Sequence, residues 1–382
     1  MATVVLIRCD TYGDDAVKTA VERGIYLLGG PEKFAKKGEK ILLKPNLLVG
    51  DPPEKCVTTH PAVFKAVAEC FLDTGADITY GDSPAMGSPK SAAKKSGILA
   101  IAEKLNIGLA DFTSGEEIFF KDGIQNKKFV ISKGVLDSDG IISLPKLKTH
   151  GLERLTGSVK NQFGCIPGMR KGEYHVKLPD ANDFAKMLVD LNRFVNPRLY
   201  VMDGIRAMEG NGPRGGAPVN MNILLFSTDP IALDATVCRL IDLNPEYMPT
   251  TRIGGDSGAG TYLEEEIELL GDAIDGFKMK NFDVKRRPVR PYQQKGFQRF
   301  LNNRLVEKPY ILETRCTQCG TCIQACPANP KAVNWHNGDK SRSPVYNYDD
   351  CIRCYCCQEL CPESAVKLKK PFMRKLLNYV SG

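Results

Sequence analysis

The feature that most constrains this 382-residue chain is a cysteine spacing that occurs twice near its C-terminus. The first copy reads Cys316-x-x-Cys319-x-x-Cys322-x-x-x-Cys326-Pro327. The second copy reads Cys351-x-x-Cys354-x-x-Cys357-x-x-x-Cys361-Pro362. Three cysteines this close together can converge on one metal centre from a tight turn, whereas the fourth precedes a helix-ending proline and points away. The repeat therefore predicts a small metal-binding domain made of two similar units.

Both motifs resemble those of bacterial two-cluster ferredoxins, in which this spacing holds cubane iron–sulfur clusters. The resemblance implies two [4Fe–4S] clusters, each of which takes three thiolates from one motif and the fourth from the other. One cluster would be held by Cys316, Cys319, Cys322 and Cys361. The second would be held by Cys351, Cys354, Cys357 and Cys326. Short strand-like runs flank each motif, so we expect a duplicated strand–loop–helix–strand unit with pseudo-twofold symmetry.

Structural zinc is the alternative reading of these motifs, because C-x-x-C pairs also bind zinc. Zinc needs four ligands per ion and no proline after the fourth cysteine, and the tight spacing disfavours a disulfide framework. Cys356 would break the spacing if it were a ligand, so we interpret it as a packed thiol, with a substitute ligand as the other option. The remaining cysteines are isolated and are expected to be small buried hydrophobes: Cys9, Cys56, Cys70, Cys165 and Cys238.

The chain upstream of the cysteine motifs is long enough for one large hydrophobic core, at about 280 residues. Hydrophobic residues make up 42% and charged residues 25% of the chain, as is typical of soluble globular proteins. No run of 18 apolar residues is present, so we expect no transmembrane segment. The first residues turn polar too early for a signal peptide. We therefore expect a cytoplasmic protein, and oxygen-sensitive clusters suggest an anaerobic setting.

Positive charge is concentrated in one stretch of the chain. Ten Lys or Arg and two acidic residues lie between Lys278 and Lys308, so this stretch alone accounts for the net charge of +7. We interpret residues 282–308 as a basic connector that contains an amphipathic helix. Binding of nucleic acid would depend on this one connector, and we do not expect it. Residues 371–382 form a predicted tail helix that docks internally or contacts a membrane surface.

Strand and helix patterns alternate through residues 1–281, which predicts an α/β domain with a largely parallel sheet. A small α+β ferredoxin-like two-cluster domain is predicted to follow at residues 309–370. The predicted strands cover 3–9, 40–43, 77–80, 140–144, 199–202 and 222–226. The predicted helices cover 15–28, 61–73, 183–194 and 230–241, and residues 114–135 read as an antiparallel insertion.

Polar residues follow five of these strands. They are Lys44-Pro45-Asn46, Gly81-Asp82-Ser83-Pro84, the segment from Pro145 to His150, Asp203-Gly204, and the segment from Ser227 to Pro230. Ligands of open α/β sheets bind beyond the carboxyl ends of the strands. The sequence therefore predicts a shared site there, although each group alone is also typical of a turn or helix cap.

Cationic and imidazole side chains cluster near these strand ends. Lys146, Lys148 and His150, followed by Lys160-Asn161, suit an anionic ligand. His60 opens a predicted helix, where backbone N–H groups can bind a phosphate or carboxylate, and Thr58 and Thr59 are alternative caps there. A metal site made of His60, His150 and His175 with Asp82 or Asp203 is a further hypothesis. Glycine-rich loops at 209–216, with Arg214, and at 254–260 could approach a phosphate or remain without a ligand.

Six stretches of the first domain resemble the family known as domain of unknown function 362. They are Lys44-Pro45-Asn46-Leu47, Thr58-Thr59-His60-Pro61, Gly81-Asp82-Ser83-Pro84, Leu144 to His150, Gly157-Ser158-Val159-Lys160-Asn161 and Asp203-Gly204-Ile205. Members of this family often carry a ferredoxin-type C-terminal domain, as this chain does. The resemblance implies no assigned reaction, so it assigns no catalytic role.

These observations favour an oxidoreductase that passes electrons between its clusters and a small anionic ligand in the α/β crevice. In this hypothesis Lys44, Lys146, Lys148 and His150 hold the anion, while His60 or His175 transfers protons. The other predicted binding residues are Asn46, Asp82, Lys160, Asn161 and Asp203; whether the α/β domain binds a further cofactor is left open. The alternative is a ferredoxin-like electron carrier or redox-complex subunit that meets a ferredoxin, flavodoxin or oxidoreductase partner.

Overall fold

The computed structural model of the protein describes residues 1–168, 170–289 and 306–369. The strands of its larger part are β1 (Ala2–Arg8), β2 (Lys40–Pro45), β3 (Asp77–Tyr80), β4 (Gly108–Leu109), β5 (Gly115–Phe119), β6 (Lys128–Ser132), β7 (Gly140–Leu144), β8 (Lys146–His150), β9 (Arg154–Leu155), β10 (Leu199–Glu209), β11 (Ala217–Ser227) and β12 (Ile267–Gly271).

Ten of these strands form one sheet, in which neighbours follow the order β12, β1, β11, β10, β7, β2, β3, β4. Strand β8 pairs with β10 and with β9. The run from β10 to β4 is parallel throughout. Within the described residues, antiparallel pairing enters the sheet through β11 and β9. The predicted largely parallel α/β sheet is therefore confirmed.

Helices cover both faces of this sheet. They are α1 (Asp14–Leu27), α2 (Pro61–Leu72), α3 (Pro89–Lys95), α4 (Ile98–Lys104), α5 (Lys133–Leu136), α6 (Gly157–Asn161), α7 (Arg170–Lys177), α8 (Ala181–Val195), α9 (Pro230–Leu240) and α10 (Pro249–Asp256). Short 3-10 turns occur at Pro31–Lys33, Pro53–Lys55, Gln162–Cys165, Pro245–Tyr247, Glu264–Glu266, Ile274–Phe277, Glu313–Arg315 and His336–Gly338.

The hydrophobic core lies on both faces of the sheet, because successive side chains of a strand point to opposite sides. Ile41 and Leu43 of β2 pack with α1 and α2 on one face. Leu42 packs with Phe184 and Leu188 of α8 on the other face. Apart from its first residue, β2 is completely buried, which explains its nearly continuous apolar sequence. The carboxyl ends of the parallel strands are thereby held at one edge of the sheet.

One predicted strand end was placed at the wrong edge. The segment from Ser227 to Pro230 follows β11, and β11 runs antiparallel to β10, so this segment lies opposite the ends of the parallel strands. There the Asp229 carboxylate accepts the N–H groups of Ile231 and Ala232 and caps α9. The predicted strands at 199–202 and 222–226 were also too short, because β10 and β11 continue through polar residues as a long antiparallel pair. The predicted insertion at 114–135 is confirmed as the β5–β6 pair.

The C-terminal part is a small α+β unit with the strands β13 (Lys308–Ile311), β14 (Val333–Asn334), β15 (Val345–Tyr346) and β16 (Val366–Lys369). Strand β13 pairs with β16, and β14 pairs with β15, both antiparallel. Each pair therefore joins one strand of the first unit to one of the second. The helices Thr321–Ala325 and Cys356–Leu360, which follow the two cysteine turns, pack against each other. The predicted ferredoxin-like fold class is confirmed.

The predicted amphipathic helix of the connector and the predicted tail helix lie outside the described residues, and the domain boundaries remain predictions. In the described part of the connector, Arg286 donates to the backbone carbonyls of Ile241, Lys280 and Phe282. Arg287 pairs with Glu307 at 3.0 Å. These two arginines therefore make contacts within the chain. No helix in the described ranges has both the length and the apolar composition needed to cross a membrane.

Candidate functional site

A cavity of about 340 Å³ lies between the α/β domain and the ferredoxin-like domain. Its polar wall from the α/β domain includes Lys148 and His150 on β8, Lys160 on α6, and Lys171 and His175 on α7. The opposite wall, from the ferredoxin-like domain, includes Gln324, Ala325, Cys326, Pro327, Cys356, Glu359 and Leu360. A molecule in this cavity would contact both domains at once.

Two buried lysines near the strand ends are neutralised by carboxylates of the chain itself. Lys44 Nζ lies 2.8 Å from Asp82 Oδ1, and Lys146 Nζ lies 2.7 Å from Asp203 Oδ2. All four side chains are less than 5% exposed. Removing one partner of such a pair would leave an uncompensated buried charge, which is strongly destabilising. These pairs therefore hold the strand ends together.

Lys148 and Lys171 are also buried, but their hydrogen bonds go to neutral acceptors. Lys148 Nζ donates to Asn46 Oδ1 at 2.7 Å and to the Val57 carbonyl at 2.6 Å. Lys171 Nζ donates to Ser83 Oγ at 2.7 Å and to the carbonyls of Ser83 and Ile166. Burial lowers the pKa of each lysine to about 7. Neither lysine forms an ion pair with a carboxylate among the described residues.

Lys160 completes a set of three lysines on the cavity wall. Its Nζ lies 5.4 Å from the centre of the Phe163 ring, and it forms no ion pair within the described parts of the chain. Buried or half-buried cations without a counter-charge are costly, and a bound anion would offset that cost. We refer to Lys148, Lys160 and Lys171 as the lysine set. Its position at the cavity favours a negatively charged ligand there.

His150 faces the second domain through one ring nitrogen. Its Nδ1 accepts the N–H groups of Leu152 and Glu153 at 3.1 Å, so the proton of the neutral ring is on Nε2. Nε2 lies 2.8 Å from Glu359 Oε1. Burial lowers the pKa of His150. Burial alone would raise the pKa of Glu359. The contact with His150 and the charges of His150 and Lys160 outweigh burial, so the pKa of Glu359 lies below its usual range. At neutral pH a neutral imidazole therefore faces an ionised carboxylate.

His175 is the second imidazole of the cavity wall. Its ring stacks on Phe184 with centroids 4.4 Å apart and meets Phe163 edge-on. Burial lowers its pKa to about 4, so the ring is neutral at pH 7. Its Nδ1 is buried and has no hydrogen-bond partner in the described residues. Buried polar atoms are usually paired, so this nitrogen is available to a ligand in the cavity.

His60 lies in a different network, away from the residues that line the cavity. Its Nδ1 accepts the Ala62 N–H and so caps α2. Its ring stacks on Tyr12 with centroids 3.6 Å apart. The Tyr12 hydroxyl donates to Asp203 Oδ1 and accepts from Lys146 Nζ, both at 2.8 Å. The structure thus separates His60, Lys146 and Asp203 from the predicted residues that meet at the cavity.

Three other predicted residues connect the cavity wall to the sheet. Asn46 Nδ2 donates to Asn161 Oδ1 at 3.0 Å, and Asn161 Nδ2 donates to Ser143 Oγ at 2.9 Å. Asp82 Oδ2 accepts the Leu47 N–H at 2.8 Å. Asn46, Asp82 and Asn161 also line the cavity. They position Lys148 and the loops around it.

Two residues of the site were not predicted from the sequence. Lys171 follows no strand, and it reaches the site because α7 folds back over Ser83. Glu359 lies between two predicted cluster ligands and reaches the site through contact between the domains. A polar residue inside a cysteine motif was the only local signal for Glu359, and no local signal marked Lys171.

The glycine-rich loops have structural roles that differ from phosphate binding. In the first loop, the Arg214 guanidinium contacts both carboxylate oxygens of Asp51 and donates to the Leu360 carbonyl at 2.7 Å. Gln358 Nε2 donates to the carbonyls of Asn211 and Gly212 in the same loop. The loop therefore holds the ferredoxin-like domain. In the second loop, Gly254 belongs to α10, where an added Cβ would overlap Ile231, so it permits close helix packing.

The cysteine motifs interleave in the ferredoxin-like domain. Burial raises the pKa of Cys322 to about 12, with further contributions from Cys361, Cys316 and Cys319. Cys361 of the second motif thus lies near the first motif. Hydrophobic contacts also join Cys322, Cys357 and Cys361 with Ala365 and Val366. None of these cysteines forms a disulfide. Interleaved thiolates of this kind are the ligands that a pair of [4Fe–4S] clusters requires.

Three cysteines differ in where they face. Cys319 is exposed to solvent, whereas Cys326 and Cys356 line the cavity. A hydrogen bond with Cys354 and burial raise the pKa of Cys356 well above its usual value. A thiol held in this way is consistent with the predicted packed role of Cys356. Cys326 brings a predicted cluster ligand to the cavity wall.

The hypothesis of a single metal ion held by three histidines is not supported. Among residues 1–168, 170–289 and 306–369, no three His, Cys, Asp or Glu side chains lie close enough to hold one metal ion. His60 belongs to the Tyr12 network, away from His150 and His175. In a [4Fe–4S] cluster each thiolate binds a different iron, so the cysteines need not meet at one ion.

Relatives of the chain match it over stretches of very different length. A thylakoid-associated protein of Synechocystis sp. is 37% identical over 249 residues, which are 65% of this chain and 77% of that protein. An NADH-quinone oxidoreductase subunit I of Symbiobacterium thermophilum is 34% identical over 55 residues, 13% of this chain and 23% of its own length. The structure of the lactate racemase apoprotein of Thermoanaerobacterium thermosaccharolyticum matches 59% of this chain and 54% of its own, with a TM-score of 0.40 and 15% identity. This likeness is too remote to support an argument.

Family comparisons agree with both predicted domains. Residues 308–362 match the 4Fe-4S dicluster domain, which supports an iron–sulfur cofactor and a role in electron transfer. Residues 41–239 match the domain of unknown function DUF362. The match contains the strand ends, the lysine set and both histidines of the cavity. The chain therefore belongs to the DUF362 family and carries a 4Fe-4S dicluster domain at its C-terminal side.

Proposed function

We propose that the protein is an iron–sulfur oxidoreductase whose substrate is a small anion bound in the cavity between the two domains. One observation carries the proposal: the lysine set and Cys326 line the same cavity. A cationic wall suits the anion, and the opposite wall contains a predicted ligand of the second cluster. A docking module for a protein partner would not need a cavity lined in this way.

The interleaved cysteines would hold two clusters, with Cys316, Cys319, Cys322 and Cys361 as one ligand set and Cys351, Cys354, Cys357 and Cys326 as the other. When bound, such clusters supply or accept electrons one at a time. Cys319 is exposed, which gives an external electron carrier access to the first set. Cys326 lines the cavity, so the second set adjoins the substrate.

The residues of the cavity bind and orient the anion. Lys160 and the protonated forms of Lys148 and Lys171 supply positive charge, and the hydrogen-bonding partners of Lys148 and Lys171 in the chain are neutral. Apolar residues on the same walls exclude water, and a lower local dielectric strengthens the attraction between ammonium groups and an anion. These apolar residues are Leu48, Ala85, Met86, Phe163 and Leu360. The site therefore favours an anion that also has an apolar portion.

His175 is the residue that we assign to hydrogen bonding with the substrate's reacting end. It is neutral at pH 7, and its Nδ1 is buried without a partner in the described residues. His60 is the other predicted candidate for proton transfer, but its Nδ1 caps α2 and its ring stacks on Tyr12. Proton handling at the cavity is thus assigned to His175, with His150 held by Glu359.

We further propose that the protein is cytoplasmic. In an anaerobic setting it would exchange electrons with a ferredoxin, a flavodoxin or another oxidoreductase. One relative is named as thylakoid-associated, so attachment to a membrane surface is the alternative location. The second candidate function is an electron carrier or a redox-complex subunit. The similarity to an NADH-quinone oxidoreductase subunit favours this alternative, but it covers only 13% of the chain.

Reoxidation of the reduced protein distinguishes the two functions. The anaerobically purified chain is reduced with titanium(III) citrate, and its visible absorption is followed after addition of the small-molecule fraction or the protein fraction of the producing cells. An enzyme with an anionic substrate is reoxidised by the small-molecule fraction, and Lys160→Met removes that response. Lys94→Met, an exposed residue of α3, is the matched control. Reoxidation by the protein fraction alone would instead favour the carrier.

A further inference from the structure

Lys148 differs from the other buried lysines in the number or the charge of its hydrogen-bond acceptors. Its Nζ has two acceptors, Asn46 Oδ1 and the Val57 carbonyl, and both are neutral. An uncharged amine has two N–H groups and one lone pair. Both N–H groups of an uncharged Lys148 are thus used by the protein, and its lone pair has no partner among the described residues. The side chain lines the cavity.

The neighbouring lysines lack this arrangement. Lys171 Nζ has three acceptors, two from Ser83 and one from Ile166, so all of its hydrogen-bonding positions face groups of the protein. Lys44 and Lys146 are each paired with a carboxylate. Lys148 is therefore distinguished from these three lysines by the number or the charge of its acceptors.

We propose that Lys148 forms an imine with a small anionic carbonyl compound of the 2-oxo acid type. The proposal rests on the proposed function only in taking the cavity as the ligand site. Lys160 is the neighbouring cation that would hold the carboxylate of such a compound. The cavity of about 340 Å³ is large enough for a small carboxylic acid and its apolar substituent.

Burial and nearby charges bring the pKa of Lys148 close to neutral pH. Burial is the main reason that its pKa falls to about 7, and the positive charges of Lys160 and Lys146 lower it further. The carboxylates of Asp82 and Asp51 act in the opposite direction. About half of the Lys148 side chains are then uncharged at pH 7, compared with fewer than about one in a thousand for an exposed lysine of ordinary pKa. Desolvated lysines beside other cations are typical imine-forming residues.

The proposed step is balanced without any change in oxidation state. The Lys148 nitrogen attacks the carbonyl carbon, a C–N bond forms, and the carbonyl oxygen becomes a hydroxyl group by taking a proton. The first proton comes from the attacking nitrogen, and a second proton, taken from solvent, lets the hydroxyl group leave as water. This leaves a protonated C=N bond with one remaining N–H. This N–H can still donate to Asn46 Oδ1 or to the Val57 carbonyl. Hydrolysis reverses the step, and no electron is gained or lost.

Reductive trapping with glyoxylate tests the proposal. The full-length, anaerobically purified protein is incubated at pH 7 with glyoxylate and sodium cyanoborohydride, and the modified lysines are identified by peptide mass spectrometry. We expect Lys148 to be modified at least tenfold faster than the exposed Lys94, and Lys171 to remain unmodified. Modification of Lys148 no faster than that of Lys94 would overturn the proposal.

Variants give an independent check. Lys148→Met should abolish the fast phase of labelling, while Lys94→Met should retain it. A fast phase that persists in Lys148→Met would assign the reaction to another residue and overturn the proposal. If Lys148→Met does not fold, the site-resolved rates in the wild-type protein decide the question. The result is separate from the proposed function, because labelling needs no electron transfer and reoxidation of the reduced protein needs no imine.

Discussion

Glu359 Oε1 of the ferredoxin-like domain lies 2.8 Å from His150 Nε2 of the α/β domain. Both side chains are less than 10% exposed. Glu359 stands between Cys357 and Cys361 in the sequence, so this contact joins a cysteine loop directly to the cavity wall. The cavity exists in this form only while the two domains are docked, and the contact is part of what docks them.

Substitution of Glu359 should separate the effect of shape from that of hydrogen bonding. Glu359→Leu removes the carboxylate that lies 2.8 Å from His150 Nε2, and loss of this buried polar contact should cost about 1 to 3 kcal/mol of unfolding free energy. Glu359→Gln keeps an oxygen in reach and should cost less than half as much. Thermal unfolding of the two variants measures the difference. Equal losses would show that His150 does not depend on this acceptor.

Gly164 tests the Lys44–Asp82 pair. An added Cβ at Gly164 would overlap Asp82 Oδ1 and crowd Lys44 Nζ, so Gly164→Ala should force the buried pair apart. We expect a loss of roughly 3 kcal/mol in unfolding free energy, since separated buried ions are not compensated. Gly108→Ala is the control, because an added Cβ at Gly108 meets nothing within 4 Å. Urea unfolding of the two variants makes the comparison, and similar midpoints would contradict the assigned role of Gly164.

Lys171 should make stability depend on pH above neutrality. Burial lowers its pKa in the folded protein to about 7, whereas in the unfolded chain it is about 10.4. Between these values the unfolded chain binds more protons, so stability rises with pH. The wild type should gain about 2 kcal/mol between pH 7 and pH 9 from this residue. Lys171→Met should lack that gain in urea unfolding at both pH values. Parallel curves for the two proteins would contradict the assignment.

Cysteine variants test which thiols hold the clusters. Cys356→Ser should retain about eight iron atoms per chain, because the eight predicted ligands do not include Cys356. Cys326→Ser should lose about four, since it removes a ligand from the second set. Iron and acid-labile sulfide are measured after anaerobic purification. Loss of iron from Cys356→Ser would identify Cys356 as a ligand and overturn the predicted spacing rule.

Local signals in the sequence were enough to predict most of the fold. The run from Ile41 to Leu43 is apolar and fully buried, as expected of a central parallel strand. The cysteine motifs were recognised because their ligand spacing is short and repeated. The direction of β11 was not predicted, since strand direction is set by its pairing with β10 and β1 and not by its own composition.

The candidate site was only partly accessible from the sequence, because its charges are sorted by long-range contacts. Lys44 and Asp82 are 38 residues apart, and Lys146 and Asp203 are 57 apart. Nothing local distinguishes these neutralised lysines from Lys148, which has no carboxylate partner among the described residues. Lys171 and Glu359 enter the site through folding of α7 and through docking of the second domain. The sequence predicted an anionic ligand, and the structure identifies which cations face the cavity.

A native mass spectrum of the anaerobically purified protein tests the central claim, that a small anion binds between the domains, most directly. The wild-type chain should carry two [4Fe–4S] clusters and an additional small acidic molecule. Lys160→Met should retain the clusters and lose the additional mass, while Lys94→Met should match the wild type. The same additional mass in Lys160→Met, or clusters with no additional mass in any of the three proteins, would contradict the claim.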